Sequence, residues 1–163
     1  MSLKIALLLF VDDAAFSPIN IGNLYNSAMG KTLSIIPLGG VEEIGLNMTV
    51  MEYGNDLIIV DAGLMFPEED MLGVDFVIPD FSYLIENKDK IKGIVLTHGH
   101  EDHTGALPFL LKEINVPIYG TPLTLGLVKE KLKEHSLENA TLIPVKPRDV
   151  VNLGVFSIEF VRV

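Results

Sequence analysis

The sequence predicts a mixed α/β layered domain, and three observations carry that expectation. Strand-like stretches follow one another over residues 32–61, and from residue 81 onward strands and helices alternate. The densest group of polar chemistry lies just behind the apolar run Ile94-Val95-Leu96. Sites in α/β proteins usually occupy loops at the carboxyl ends of strands, so this placement agrees with the other two. At 163 residues, 48% of them hydrophobic, the chain is long enough for one domain with a sizeable core.

The elements follow in order. Residues 5–11 form an apolar run behind Lys4 that is too short to span a membrane and is followed by Asp12 and Asp13. A buried strand or short helix is expected there, not a signal peptide. Residues 12–30 contain Ser17-Pro18, Asn20, Gly22, Asn23, Asn26 and Gly30, a loop composition, so residues 1–30 are expected to be an N-terminal extension or linker.

A strand over 32–37 ends in the Gly39-Gly40 turn, and strands 47–53 and 56–61 meet at Gly54-Asn55 as a hairpin. Residues 62–80 are rich in Gly, Pro and acid and are expected to be irregular, with a short helix at 81–87. A strand at 93–96 leads into the polar loop. Helix 104–114 follows, with Pro108 tolerated near its first turn, then a strand at 117–119. The longest helical pattern is 121–134, with Leu123, Leu127, Val128 and Leu132 on one face and lysines on the other. Strands at 142–145, 150–153 and 155–163 complete the chain.

Composition excludes several classes. Without cysteine there are no disulfides and no thiolate ligands, which fits a reducing compartment and makes the cytoplasm the expected location. A net charge of -10 argues against a basic surface that binds nucleic acid non-specifically. Lys129, Lys131, Lys133, Lys146 and Arg148 form either a local basic patch or, as expected here, a solvated helix face and loop.

The polar loop is Thr97-His98-Gly99-His100-Glu101-Asp102-His103, which holds three of the four histidines. In an extended loop, His98 and His100 lie two apart and point to one side, so both rings reach one cation. Asp102 and His103 follow as the chain turns into a helix, aiming a carboxylate and an imidazole at a second position. This is the donor chemistry of a two-metal hydrolytic site. Such donors suit zinc, with manganese or magnesium as alternatives. The fourth histidine, His135, lies among Lys131, Lys133 and Glu134 and is expected to be solvated.

The loop resembles the H-x-H-x-D-H signature of metallo-β-lactamase-fold hydrolases. Three further stretches are similar to the start of the ribonuclease J family, in the β-CASP nuclease branch: Pro37-Leu38-Gly39-Gly40-Val41-Glu42-Glu43-Ile44-Gly45-Leu46-Asn47, Val60-Asp61-Ala62-Gly63-Leu64-Met65-Phe66-Pro67 and Val74-Asp75-Phe76-Val77-Ile78-Pro79-Asp80. The resemblance spans about residues 31–163. It implies that His98 and His100 ligate one metal, that Asp102 and His103 ligate the other with Asp102 essential to catalysis, and that Asp61 supports the metal loop. It also implies endonucleolytic or 5′-exonucleolytic hydrolysis of RNA by a metal-activated water, and Gly39-Gly40 would let the backbone pass close to the site.

The family's later histidines, its bridging aspartate and its RNA-holding insertion have no counterpart here. Residues 31–163 are therefore expected to be the N-terminal half of an αββα sandwich, a mixed sheet with helices on its outer face, inactive by itself. In such a half-domain, residues 155–163 would expose an apolar edge and invite pairing with a second copy. Two rival readings remain: a small-molecule metallo-hydrolase of the same fold, such as a thioesterase or lactamase, and a receiver-type phosphorylation switch built on Asp12, Asp13, Asp61 and Thr97.

Overall fold

The computed structural model describes residues 32–68 and 70–161, together with the backbone of residues 5 and 6. After the short β1 (Ile5–Ala6), strands β2 (Leu33–Gly39), β3 (Met48–Tyr53) and β4 (Asp56–Val60) form an antiparallel meander. Gly54, at φ 64, takes the left-handed conformation that the tight β3–β4 turn requires. The register of β2 against β3 shifts between Pro37 and Gly39. Three antiparallel strands in succession exclude the strand-helix-strand units of a receiver domain. Asp12 and Asp13 lie outside the described residues.

Helix α1 (Ser82–Glu86) and a 3-10 turn (Lys88–Lys90) lead into β5 (Ile91–Val95). Then come α2 (Glu101–Thr104), α3 (Leu107–Glu113), β6 (Ile118–Gly120), α4 (Pro122–Glu134), β7 (Leu142–Pro144), β8 (Val150–Leu153) and β9 (Phe156–Phe160). The main sheet has the order β2-β3-β4-β5-β6-β7, and its last four strands run parallel. A second, antiparallel sheet has the order β1-β9-β8. The described residues among 62–80 are irregular apart from one bridge, Met65 to Val77.

Alternation along the central strands explains the layers. Leu57 and Ile59 of β4, with Ile94 and Leu96, pack on the helical side against Leu84, Leu107, Leu110, Leu125, Val128 and Leu132. Their neighbours Ile58 and Val95 face the other way, onto Leu153, Phe156, Ile158 and Phe160 of the second sheet. Strands covered on both faces must be apolar throughout, hence the unbroken runs Leu57-Ile58-Ile59-Val60 and Ile94-Val95-Leu96.

Three expectations are corrected. The helix expected over 104–114 is two helices, and the first begins at Glu101, inside the histidine motif. The Ala106 amide leaves the helical pattern to donate to the Ala62 carbonyl at 2.9 Å, and Pro108 favours a fresh helix start. On α4, Leu123 and Leu127 are 72% and 54% exposed, while Leu125 joins Val128 and Leu132 in the core. The strand expected over 155–163 is no exposed edge where it is described: β9 lies between β1 and β8 and buries Phe156, Ile158 and Phe160, while residues 162 and 163 lie outside the described residues. As expected, the basic residues of the C-terminal part form no single patch: Lys129, Lys133 and Lys146 are exposed, Lys131 pairs with Glu101 and Arg148 with Glu159. His135 is exposed as expected, its ring meeting Phe109 at 5.7 Å. No helix among the described residues is long and apolar enough to cross a membrane.

Candidate metal centre

The parallel register of β4 and β5 sets Val60 opposite Val95, so the chains leaving both strands emerge together. Asp61 follows β4 at φ 62, a left-handed position that aspartate tolerates better than most residues. Its amide donates to the Val95 carbonyl at 2.9 Å. The side chain, 6% exposed, turns to the loop after β5: Oδ1 accepts from the Thr97 amide at 2.8 Å and Oδ2 from the Thr97 hydroxyl at 2.7 Å. Oδ2 also lies 2.7 Å from Nδ1 of His103. Asp61 thus sits against the histidine loop, where it was expected.

These bonds dictate how the imidazoles present themselves. Thr97 has one hydroxyl proton and gives it to Asp61, so at 3.0 Å it accepts from Nδ1–H of His98. His103 likewise gives its Nδ1–H to Asp61. Nε2 of both rings then points away from Asp61 and Thr97, the tautomer that a carboxylate behind a ligand histidine usually enforces, and that of His103 lies 3.3 Å from the Asn47 side-chain amide.

His98, His100 and Asp102 each offer a donor atom within 4.8 Å of the others. The rings of His98 and His100 stand 4.6 Å apart, and those of His98 and His103 4.0 Å. Nε2 of His103 lies 3.3 Å from Oδ2 of Asp102. Asp102 therefore has a donor atom near both the His98–His100 pair and His103. The donors are imidazole and carboxylate only, which fits zinc or manganese.

Charge and burial divide the histidines. Burial, followed by the neighbouring His103 and His100, holds the pKa of His98 below its ordinary value, so the ring is neutral and able to ligate. Burial also pulls His103 down, but the hydrogen bond and charge of Asp61, with Asp102 behind them, outweigh it and raise the pKa. A cation at His103 therefore displaces a proton that the metal-free molecule holds more readily.

Three residues that the motif spacing did not single out complete the site. Asn47 donates twice to the Asp102 carbonyl, from its backbone amide at 3.1 Å and its side-chain amide at 3.0 Å, and reaches Asp102 Oδ2 at 3.2 Å. Gly63 lies so close beneath that a Cβ there would fall 1.7 Å from the Asp102 carbonyl oxygen. Thr97 relays Asp61 to His98. Their only signal was position, at the end of Gly45-Leu46-Asn47, within Asp61-Ala62-Gly63 and at the head of the histidine loop. The Gly39-Gly40 pair acts one step further out. A Cβ on Gly40 would meet Asn47 Oδ1 at 2.9 Å and one on Gly39 the Leu46 carbonyl oxygen at 2.4 Å, so the glycines make room for Leu46-Asn47 and not for the metal loop directly.

Comparisons with known proteins agree with this arrangement. A family model described as metallo-beta-lactamase superfamily matches residues 43–163. Ribonuclease J 1 of Streptococcus pyogenes is 47% identical over 131 residues, which cover 80% of this chain and 23% of that protein. Ribonuclease J of Helicobacter pylori is 49% identical over 134 residues, 81% of this chain and 19% of its own length. Ribonuclease J of Synechocystis is 50% identical over 135 residues, covering 81% and 21% respectively. The chain thus spans about a fifth of the length of the curated relatives it matches. Among solved structures, a protein of unknown function from Enterococcus faecalis aligns with a TM-score of 0.59 at 21% identity, over 80% of this chain and 37% of that one. Zinc-bound PqqB from Methylobacterium extorquens aligns with a TM-score of 0.51 at 13% identity, over 73% and 48%. These two likenesses concern the fold alone.

Proposed function

Because the chain belongs to the metallo-beta-lactamase superfamily, we propose that it supplies half of a two-metal site for hydrolysing RNA phosphodiester bonds, in a protein of the ribonuclease J type. The observation that carries this reading is the grouping of His98, His100 and Asp102 within 4.8 Å, with His103 held beside them by Asp61. RNA as substrate, cleaved internally or from a 5′ end, is supported by the relatives named ribonuclease J. Residues 31–163 are proposed as the N-terminal half of the catalytic domain, in the cytoplasm.

Two divalent cations, zinc in the first instance, would be held by His98 and His100 on one side and by Asp102 and His103 on the other. When bound they supply Lewis acidity, lowering the pKa of a coordinated water towards neutrality and stabilising charge on the phosphoryl oxygens. The residues of the chain prepare the geometry for that chemistry. Asp61 fixes the His103 tautomer and, through Thr97, that of His98. Asn47 and Gly63 hold the Asp102 backbone, so its carboxylate is presented without reorganisation.

Asp102→Ala in a polypeptide of the relatives' length should abolish RNA cleavage, a loss of metal charge and not of core packing, because the Asp102 side chain is 42% exposed and outside the apolar core. Cleavage assays paired with circular dichroism and metal analysis test it. Unchanged cleavage by a folded variant with full metal content would refute the assignment.

A further inference from the structure

Helix α4 carries two parallel stripes of side chains. Leu125, Val128 and Leu132 enter the helical-side core. Thr124, Leu127 and Lys131 repeat the same spacing one position earlier, about 100° round the helix. This second stripe faces the histidine loop. A Cβ placed on Gly99 would lie 2.8 Å from Leu127 Cδ1 and 3.6 Å from the Thr124 Cα, so helix and loop touch at the residue between His98 and His100. One turn further along α4, the Lys131 ammonium donates to Oε2 of Glu101, the residue that opens α2 and precedes Asp102. The Lys131 side chain is only 19% exposed. Lys129 and Lys133 on the same helix are exposed and join no ion pair among the described residues.

We propose that α4 is the outer support of the metal loop, with Leu127 and Lys131 as positioning residues. Leu127 backs Gly99 so that His98 and His100 keep their separation. Lys131 fixes Glu101 so that the first turn of α2 presents Asp102 and His103 together. With its Glu101 end 47% exposed, the pair adds little to global stability, so its effect belongs to the loop, where groups behind the ligands tune metal affinity. The inference rests on the metal reading of the loop, and its test separates the two.

Hydrogen exchange is measured on the whole chain at the Thr104 and Gly105 amides, which bond to the carbonyls of His100 and Glu101, beside titration with zinc. Lys131→Met should speed exchange at both amides, and weaken zinc binding, by about three- to tenfold, with the melting temperature unchanged. Lys131→Arg should restore both, Leu127→Ala should reproduce the exchange effect, and Lys129→Met should do nothing. Wild-type exchange at both amides in Lys131→Met overturns the proposal, as does a uniform loss of protection across the molecule. If the wild-type chain binds no zinc even with free metal in excess, the metal reading fails, and the exchange data still decide whether α4 supports the loop.

Discussion

Asp61 is buried to 4% exposure, yet each of its oxygens has a donor: the Thr97 amide on Oδ1, and the Thr97 hydroxyl with His103 on Oδ2. A buried carboxylate without such partners would be costly, and here the partners belong to the loop that it orients. Asp61→Asn keeps the shape and tolerates φ 62, but one of its side-chain positions becomes a donor. If that amide faces His103, Nδ1 must accept, and the proton moves to Nε2, where a cation would bind. Zinc affinity should fall about 10–100-fold while the melting temperature changes little. Calorimetric titration checks the first, and nitrogen-15 shifts of His103 report the tautomer.

Beyond the site, β3, α1 and the 3-10 turn are joined by one polar cluster. Glu52 accepts from the Tyr83 hydroxyl and from Lys90 at 2.7 Å. The Lys90 and Tyr83 hydrogen bonds hold the Glu52 pKa below its usual 4.5. The same Glu52 bond, with burial, pushes Tyr83 up to about 12. The signs of the linkage are opposite. Stability from Glu52 is full above 4.5 and is lost as pH falls through the lowered value. Stability from Tyr83 is full below 10.0 and is lost as pH rises towards about 12. Urea unfolding across pH should show the acid loss reduced in Glu52→Gln and the alkaline loss reduced in Tyr83→Phe; unchanged profiles would count against the cluster. The helical layer itself rests on apolar packing. Leu110, fully buried in α3, should cost about 2–5 kcal/mol when cut to alanine, read from the same unfolding curves.

At the scale of the whole molecule, the count of donors governs behaviour. Among the described residues the site offers His98, His100, Asp102 and His103, whereas a catalytic zinc position generally draws on three protein ligands. Two cations sharing these four donors are under-coordinated. Residues 1–163 alone should therefore lose zinc on dialysis and leave RNA uncut, while a polypeptide of the relatives' length retains zinc and cleaves. Metal analysis after dialysis and a gel-based RNA assay test both halves. Robust metal-dependent cleavage by the 163-residue chain would show that the donors counted here suffice.

Much of this molecule was legible before any coordinates, because local pattern carries it. Period-two alternation and the Gly54-Asn55 turn announce the β2–β4 meander, unbroken apolar runs mark strands covered on both faces, and the spacing of His98, His100, Asp102 and His103 marks the candidate site. Asp61 beside that site came from the resemblance of Val60-Asp61-Ala62-Gly63, and the parallel strands β4 and β5 that end together account for it. Contacts between distant segments were beyond such reading. The Asn47 clamp on Asp102 joins residues 55 apart, and Gly63 matters only because the Asp102 carbonyl passes over it. The start of α2 at Glu101, the outward turn of Leu123 and Leu127, and the burial of β9 depend on which surface each element meets. Hydrophobic periodicity says that a face is apolar; the packing of the other layers settles whether that face lies in the core, against the metal loop or in water.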